Sequence, residues 1–181
     1  MKQLLEINQN KIIGQNLKYD IAVLRNHDIY IKEFFADTML MSYAANSTSS
    51  RHNLDALAEY YLNTSTIKYE DVVGKGAKKY KNFSEVPIKE ATNYAAEDAD
   101  LTLQLFEKLS EIIDKSSINI LKTIDYPLLF VLLEMEQKGA LVDTNHLNEL
   151  SKDFGAKLLN LVKKIHEASG SVFNIDSPKQ L

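Results

Sequence analysis

Residues 94–106 read YAAEDADLTLQLF, and three carboxylates, Glu97, Asp98 and Asp100, fall within four positions of this stretch. Its alanines and leucines predict a helix. At about 3.6 residues per turn, Ala91, Tyr94, Ala95, Asp98, Leu101, Thr102 and Leu105 share one stripe. Glu97 and Asp100 fall on the other side with Asn93 and Gln104, where an ordinary solvated face is expected. Asp98 stands on the apolar stripe, one turn after a tyrosine. A carboxylate half-buried among Leu and Ala costs several kcal/mol unless something compensates it. Two kinds of partner do so: a buried donor such as Arg51 or a backbone amide, or a divalent cation, which takes carboxylate oxygens as ligands.

Composition bounds what surrounds that acid. The 181 residues suffice for one good core or two small ones, and a hydrophobic content of 45% with 25% charged residues is that of a globular chain. No apolar run approaches the ~20 residues of a membrane span, and the first residues carry no signal pattern. The absence of cysteine removes disulfides and thiolate metal sites, which suits a reducing cytoplasm. A net charge of −4 argues against a broad, salt-driven grip on nucleic acid, but leaves room for a local site where metal ions supply positive charge. The four histidines, at 27, 52, 146 and 166, lack metal-ligand spacing. GKG at 74–76 is too short for a phosphate cradle, and the following AKKYK reads as a mobile basic loop.

Local signals place the elements that must carry these groups. KIIG at 11–14 is a short apolar run that predicts a strand. QNLKYDIAVLRNHD keeps Leu17, Ile21 and Leu24 at helical spacing, with Asn16 as the expected cap. IYIKEFFADTML reads as an extended segment turning helical near Asp37. SSRHNLDALAEYYL at 49–62 is an amphipathic helix with Leu54, Leu57, Ala58 and Tyr61 on one face. Pro87 suits the first turn of the helix that carries Asp98, which fades around DKSSINI. A second, helical unit is expected from residue 119. It holds a buried helix closed by Gly139, then a long helix whose Leu147, Leu150, Phe154, Leu158, Leu161 and Ile165 predict core packing. Ser177 followed by Pro178 opens a helix only three residues before the last one, so the chain reads as a fragment.

The stretches GQNLKYD (14–20), FADTMLMSYAAN (35–46), RHNLDALAEYYL (51–62), YEDVVGKG (69–76) and YAAEDADLTLQL (94–105) closely resemble the 3′–5′ exonuclease domain of the bacterial DNA polymerase I family (family A). DYPLLFVLLEMEQKGALVD and FNIDSPKQL resemble the segment that opens the polymerase domain of the same family. The resemblance covers essentially the whole chain in order. It implies an α/β, partial ribonuclease-H-like fold, mostly helical in this chain, over residues 1–118, and an α-helical beginning of the polymerase domain over residues 119–181. It also implies two-metal hydrolysis of a terminal phosphodiester, with magnesium or manganese held by four carboxylates. Asp20 of NLKYD and Asp98 of Tyr-x-x-x-Asp stand where the family has metal ligands. Tyr94 stands where a tyrosine hydroxyl orients the attacking water. Asn16 and Tyr19 stand where the family meets the terminal nucleotides, and Tyr69 where it often has an aromatic that meets a base; Arg51, basic and near a helix start, suits the phosphate of single-stranded DNA. The resemblance further implies a parent that proofreads a primer–template, a monomer away from membranes, in the bacterial cytoplasm and associated with the nucleoid.

The residues taken alone leave several roles open. Asp20 in a first helical turn also suits a helix dipole. Asn16 and Tyr19 also suit capping and surface packing, Tyr69 a packed loop, and Arg51 an internal pair. The family's first motif, Asp-x-Glu on a strand, occurs nowhere in this chain, so two of four expected ligands are missing from it. Neither do palm or fingers segments occur, so polymerisation by this chain alone is excluded and the fragment by itself is expected to be inactive. Two other readings share these residues: a stand-alone 3′–5′ exoribonuclease, and a non-catalytic domain that supports a polymerase.

Overall fold

The structure is a computed structural model that describes residues 2–7, 11–48, 51–74 and 80–180. The expected basic loop at 77–81 therefore lies largely outside the described residues. After a short helix α1 (Lys2–Glu6), strand β1 (Ile13–Gly14) leads into helix α2 (Leu17–Arg25), and strand β2 (Ala36–Asp37) leads into helix α3 (Thr38–Ala45). The two strands pair in parallel, Ile13 opposite Ala36 and Gly14 opposite Asp37. Parallel neighbours need a crossover, and α2 supplies it.

Both helices that leave this small sheet are capped by one residue. The Asp37 carboxylate accepts the amides of Met39 (2.9 Å) and Leu40 (3.3 Å) at the start of α3. It also accepts those of Asn16 (3.2 Å) and Leu17 (2.7 Å) at the start of α2. Asn16 itself adopts a left-handed conformation (φ 59°) and makes no side-chain cap bond, which corrects the sequence expectation. The acceptor comes from a residue twenty positions away, invisible to a local cap rule.

Beyond α3, the expected 49–62 helix begins at Leu54 as α4 (Leu54–Leu57) and widens into a π-helical turn, Ala58–Leu62. Helix α5 (Tyr69–Val73) and a 3-10 turn at Phe83–Glu85 precede α6 (Ile88–Ile112), the helix of the carboxylate cluster. Pro87 sits at its N-cap, one position before the first turn. The chain does not fade after α6. It breaks at Ile113 and Asp114 and restarts as α7 (Lys115–Ile120), whose Asp114 cap accepts the amides of Ser116 and Ser117. A π-helical turn (Leu121–Asp125) continues into α8 (Tyr126–Lys138).

Two apolar clusters hold these elements. Ala36, Met41, Leu57, Leu105, Leu109, Ile113 and Leu121 form one, between the sheet, α3, α4 and α6. Leu17, Ile21, Ile31, Leu129 and Leu133 form the other, between α2 and α8. Arg25 Nη1 reinforces the second by meeting Glu134 at 2.5 Å and Gln137 at 2.7 Å, and Lys18 pairs with Glu136. By packing, the chain divides into compact units after Lys138, twenty residues beyond the family boundary expected at residue 118. The reason is packing: Leu121 completes the first cluster, and Leu129 and Leu133 complete the second. Residues 115–138 form one continuous helix long and apolar enough, by length and composition, to cross a membrane, which the sequence reading did not anticipate. Its Leu121, Leu129 and Leu133 are buried in the two clusters, while Ile124, Val131 and Met135 on its other side are exposed.

The second unit, Gly139–Leu181, contains α9 (Thr144–Ser169), capped by Asp143 and ended by left-handed Gly170. None of the residues of α9 is buried. The stripe expected to form a core, Leu147, Phe154, Leu158, Leu161 and Ile165, is exposed. A lone helix followed by a turn-rich tail has no second layer of its own to cover such a stripe. Residues 178–180 form a turn rather than a helix, with the Gln180 amide donating to the Ser177 carbonyl at 2.9 Å.

Candidate functional site

Within the first unit, a cleft of about 700 Å³ opens between the end of β1, the start of α2, the start of α4 and the middle of α6. Asp20, from the first turn of α2, and Asp98, from α6, both line it, together with Gln15, Asn16, Asn53 and Thr102. Two carboxylates 78 positions apart thus face one space, brought there by the capping of α2 and the packing of α6. The α6 stripe changes character along its length. Leu101, Thr102, Leu105 and Leu109 are buried in or beside the core, whereas Tyr94 and Asp98 are half-buried where the helix reaches the cleft.

Tyr94 stands one turn before Asp98 on the same helix, near enough for its phenol to favour the Asp98 charge. Neither Arg51 nor a backbone amide fills that role. Burial pushes the Asp98 carboxyl above the ordinary range; the Tyr94 phenol pulls against this, and the charges of Glu97 and Asp55 add to it. Burial likewise raises the Tyr94 phenol, helped by the Asp98 charge, so the hydroxyl keeps its proton at neutral pH. Asp20 is also raised, first by burial in the cleft wall and then by the nearby Asp37 charge. Its side chain stays open to water while protein fills much of the space around it. Asp37 itself is only 1% exposed, and its oxygens are occupied by the four amides of the two caps, so it stands behind the cleft as a structural group.

Tyr69 opens α5 and is 49% exposed, with its ring edge-on to Tyr94 at 6.5 Å and stacked near Phe83 at 6.2 Å. Asn16, Asp20, Asp98, Tyr94 and Tyr69 are therefore gathered in one region. Tyr19 is 67% exposed on α2 and Arg51 is exposed ahead of α4; neither lines the cleft. Gln15, Asn53 and Thr102 were missed by sequence reasoning. Gln15 and Asn53 adjoin motif residues, and the Gln15 amide donates to the His52 carbonyl at 2.9 Å, joining the two segments of the rim. Thr102 follows Asp98 by one turn and donates to its backbone carbonyl at 2.7 Å. Glu97 departs from the solvated face assigned to it. It is half-buried and accepts the Ile67 amide at 2.7 Å, because the segment before α5 runs against that side of α6. Asp100 remains exposed and meets only the Gln104 side chain of its own helix, at 2.6 Å.

Asp20 and Asp98 supply two hard oxygen donors to one cleft, which fits half of a four-carboxylate set. Among the described residues no group of three or more His, Cys, Asp or Glu side chains is arranged to hold a metal ion.

The cleft thus sits between a small parallel sheet and α6, with Asp20 and Asp98 facing it and Tyr94 one turn from Asp98. Residues 1–114 match the model of the 3′–5′ exonuclease family of the family A DNA polymerases, and the chain belongs to that family. Among its relatives, the DNA polymerase I of Pseudomonas aeruginosa is 43% identical over 185 residues, covering 100% of this chain and 20% of that protein. The DNA polymerase I of Rhizobium leguminosarum is 39% identical over 182 residues, again with 100% of this chain and 18% of the relative. The chain thus spans about a fifth of the length of these relatives. Its fold is shared with the POL domain of Pol1 from M. smegmatis, solved in complex with DNA primer-template and dNTP. The TM-score is 0.62 at 22% identity, over 93% of this chain and 26% of that one.

Proposed function

We propose that this chain is the part of a DNA polymerase I that carries the second and third carboxylate motifs of its proofreading exonuclease, followed from residue 119 by the start of the polymerase domain. The observation that carries this reading is the meeting of Asp20 and Asp98 in one cleft, with Tyr94 one turn before Asp98 on the same helix. The substrate is the single-stranded 3′ end of DNA frayed from a primer–template, and the reaction is hydrolysis of its terminal phosphodiester. In the complete site Asp20 and Asp98 would hold part of the coordination shell of two magnesium or manganese ions, which would supply an activated water and a countercharge for the leaving 3′ oxygen. Tyr94 acts through its hydroxyl. Because its pKa is raised, it orients water as a protonated hydrogen-bonding group rather than as a base. Asn16 at the cleft and Tyr69 beside Tyr94 are positioned to meet the terminal nucleotides, with Tyr19 and Arg51 reaching more distal phosphates or bases from outside it. DNA synthesis belongs to segments of the parent outside this chain. The parent works as a monomer in the bacterial cytoplasm, on nucleoid DNA and away from membranes.

The test compares Asp98→Ala with Asp100→Ala in the full-length protein, on a 3′-labelled single strand. Asp98→Ala is expected to lower the exonuclease rate on the order of a thousandfold, as loss of several kcal/mol of transition-state stabilisation does. Asp100→Ala should stay within about twofold, because that side chain is solvated and interacts only with Gln104. Equal losses from the two substitutions would overturn the assignment.

A further inference from the structure

The segment between the π-helical turn and α5 is fastened on two sides. Glu97 of α6 accepts the Ile67 amide at 2.7 Å. The Thr66 hydroxyl donates to the Asp55 carboxylate on α4. Lys68 Nζ stands 3.0 Å from the other Asp55 oxygen and donates to Thr66 Oγ1 at 2.9 Å. Three consecutive residues are thereby fixed, 66 and 68 to α4 and 67 to α6. Ile67 then packs in the apolar cluster of Val72, Val73 and Val86 that also receives the rings of Tyr94 and Phe83. Tyr69, immediately after Lys68, sets its ring edge-on to Tyr94 at 6.5 Å, and Phe83 leans on the same ring at 5.7 Å.

Resting on the exonuclease reading, we propose that Glu97 and Asp55 are positioning residues for that reaction. Together they strap residues 66–68 between α4 and α6, and the strap sets the Tyr94 hydroxyl against Asp98. Neither acid lines the cleft, so neither is placed to touch the scissile phosphate. Their effect reaches the chemistry through the Tyr94 ring, which shares an apolar cluster with Ile67 and meets the ring of Tyr69, the residue that follows the strap. A phenol released from that packing swings about its two side-chain torsions, and a misplacement of about 1 Å in a reacting group can cost about a hundredfold in rate. Both carboxylates also lie close enough to Asp98 to act on it through space, behind the dominant effect of burial.

The experiment is a double-mutant cycle on the full-length protein, with kcat and KM measured for removal of the 3′ nucleotide from single-stranded DNA. Glu97→Ala should lower kcat on the order of tenfold or more, with KM changed by less than about twofold. Glu97→Gln keeps an oxygen for the Ile67 amide and should recover most of the loss. In a Tyr94→Phe background the same Glu97→Ala change should cost less than about twofold, since the hydroxyl it positions is already gone. Asp55→Asn keeps an acceptor for Thr66 but loses the Lys68 ion pair. It should show a smaller loss with the same dependence on Tyr94, and as a mild change it preserves the test if Glu97→Ala fails to fold. Circular dichroism and thermal midpoints of each variant separate global unfolding from local misplacement. Losses of equal factor with and without the Tyr94 hydroxyl, or a rise in KM alone, would overturn the proposal and leave the exonuclease reading standing. A wild-type protein with no exonuclease activity would overturn both.

Discussion

Asp37 and Asp98 are both carboxylates drawn away from water, and their surroundings give them different work. Asp37 meets four backbone amides at two helix starts, so most of its acceptor capacity is committed to the two caps. Asp98 meets one phenol and otherwise faces a cleft. A buried acid that is committed to amides is structural, whereas one left with free lone pairs facing a cleft is placed for chemistry. Replacing Asp37 by Ala orphans those amides and uncaps α2 and α3 together. The expected cost is about 2–4 kcal/mol of folding stability, about twice that of an ordinary single cap. Urea unfolding of the Asp37→Ala protein measures it, and a loss below about 1 kcal/mol would show that water replaces the carboxylate at little cost.

At the scale of elements, the long helical run from Ile88 to Lys138 is continuous but for one break, and the break is where Asp114 caps α7. Hydrogen bonds from the Ser116 hydroxyl, and from the amide and hydroxyl of Ser117, hold the Asp114 carboxyl well below the usual carboxylate range. The folded pKa is thus lower than the unfolded value of about 3.9. The sign follows: the cap stabilises the protein above the unfolded value, and its contribution disappears as the pH falls through the folded one. Stability curves of wild type and Asp114→Ala should therefore run parallel from about pH 5 upward and converge as the solution is acidified below about pH 3. A gap that stays constant through the acid range would mean that the Asp114 charge plays no part. The same break lets α8 fold back onto α2, where Leu129 and Leu133 pack against Leu17 and Ile21.

For the whole molecule, the decisive quantity is the number of carboxylates that the chain brings to one place. Asp20 and Asp98 give two, and among the described residues no third joins them. Magnesium held by so few carboxylates keeps most of its waters and binds loosely. A pair of ions at the roughly 3.5–4 Å separation that two-metal hydrolysis uses needs bridging ligands that these two do not supply. This 181-residue chain by itself should therefore degrade a 3′-labelled strand in Mg²⁺ or Mn²⁺ no faster than its Asp98→Ala variant. Activity well above that control would show that side chains other than Asp20 and Asp98 complete the site. The exposed stripe of α9 belongs to the same scale: its heptad-like leucines are evident in the sequence, yet the second unit holds no layer to bury them.

What the sequence determined by itself is local and periodic. The stripe through Tyr94 and Asp98 follows from 3.6-residue spacing, the strand at Ile13–Gly14 from a short apolar run, and the end of α8 before Gly139 from that glycine. The family, too, was legible, because its motifs are long and ordered along the chain. Only the tertiary structure decided the rest, since the interactions join distant residues. Asp37 takes over the cap that Asn16 was expected to provide from twenty residues away, because the parallel pairing of β1 with β2 sets its carboxylate beneath α2. Glu97 leaves the solvated face because residues 66–68 run against it. The first unit extends to Lys138 because α8 finds its apolar partner on α2, more than a hundred positions earlier, and periodicity along one helix carries no record of which surface will cover it.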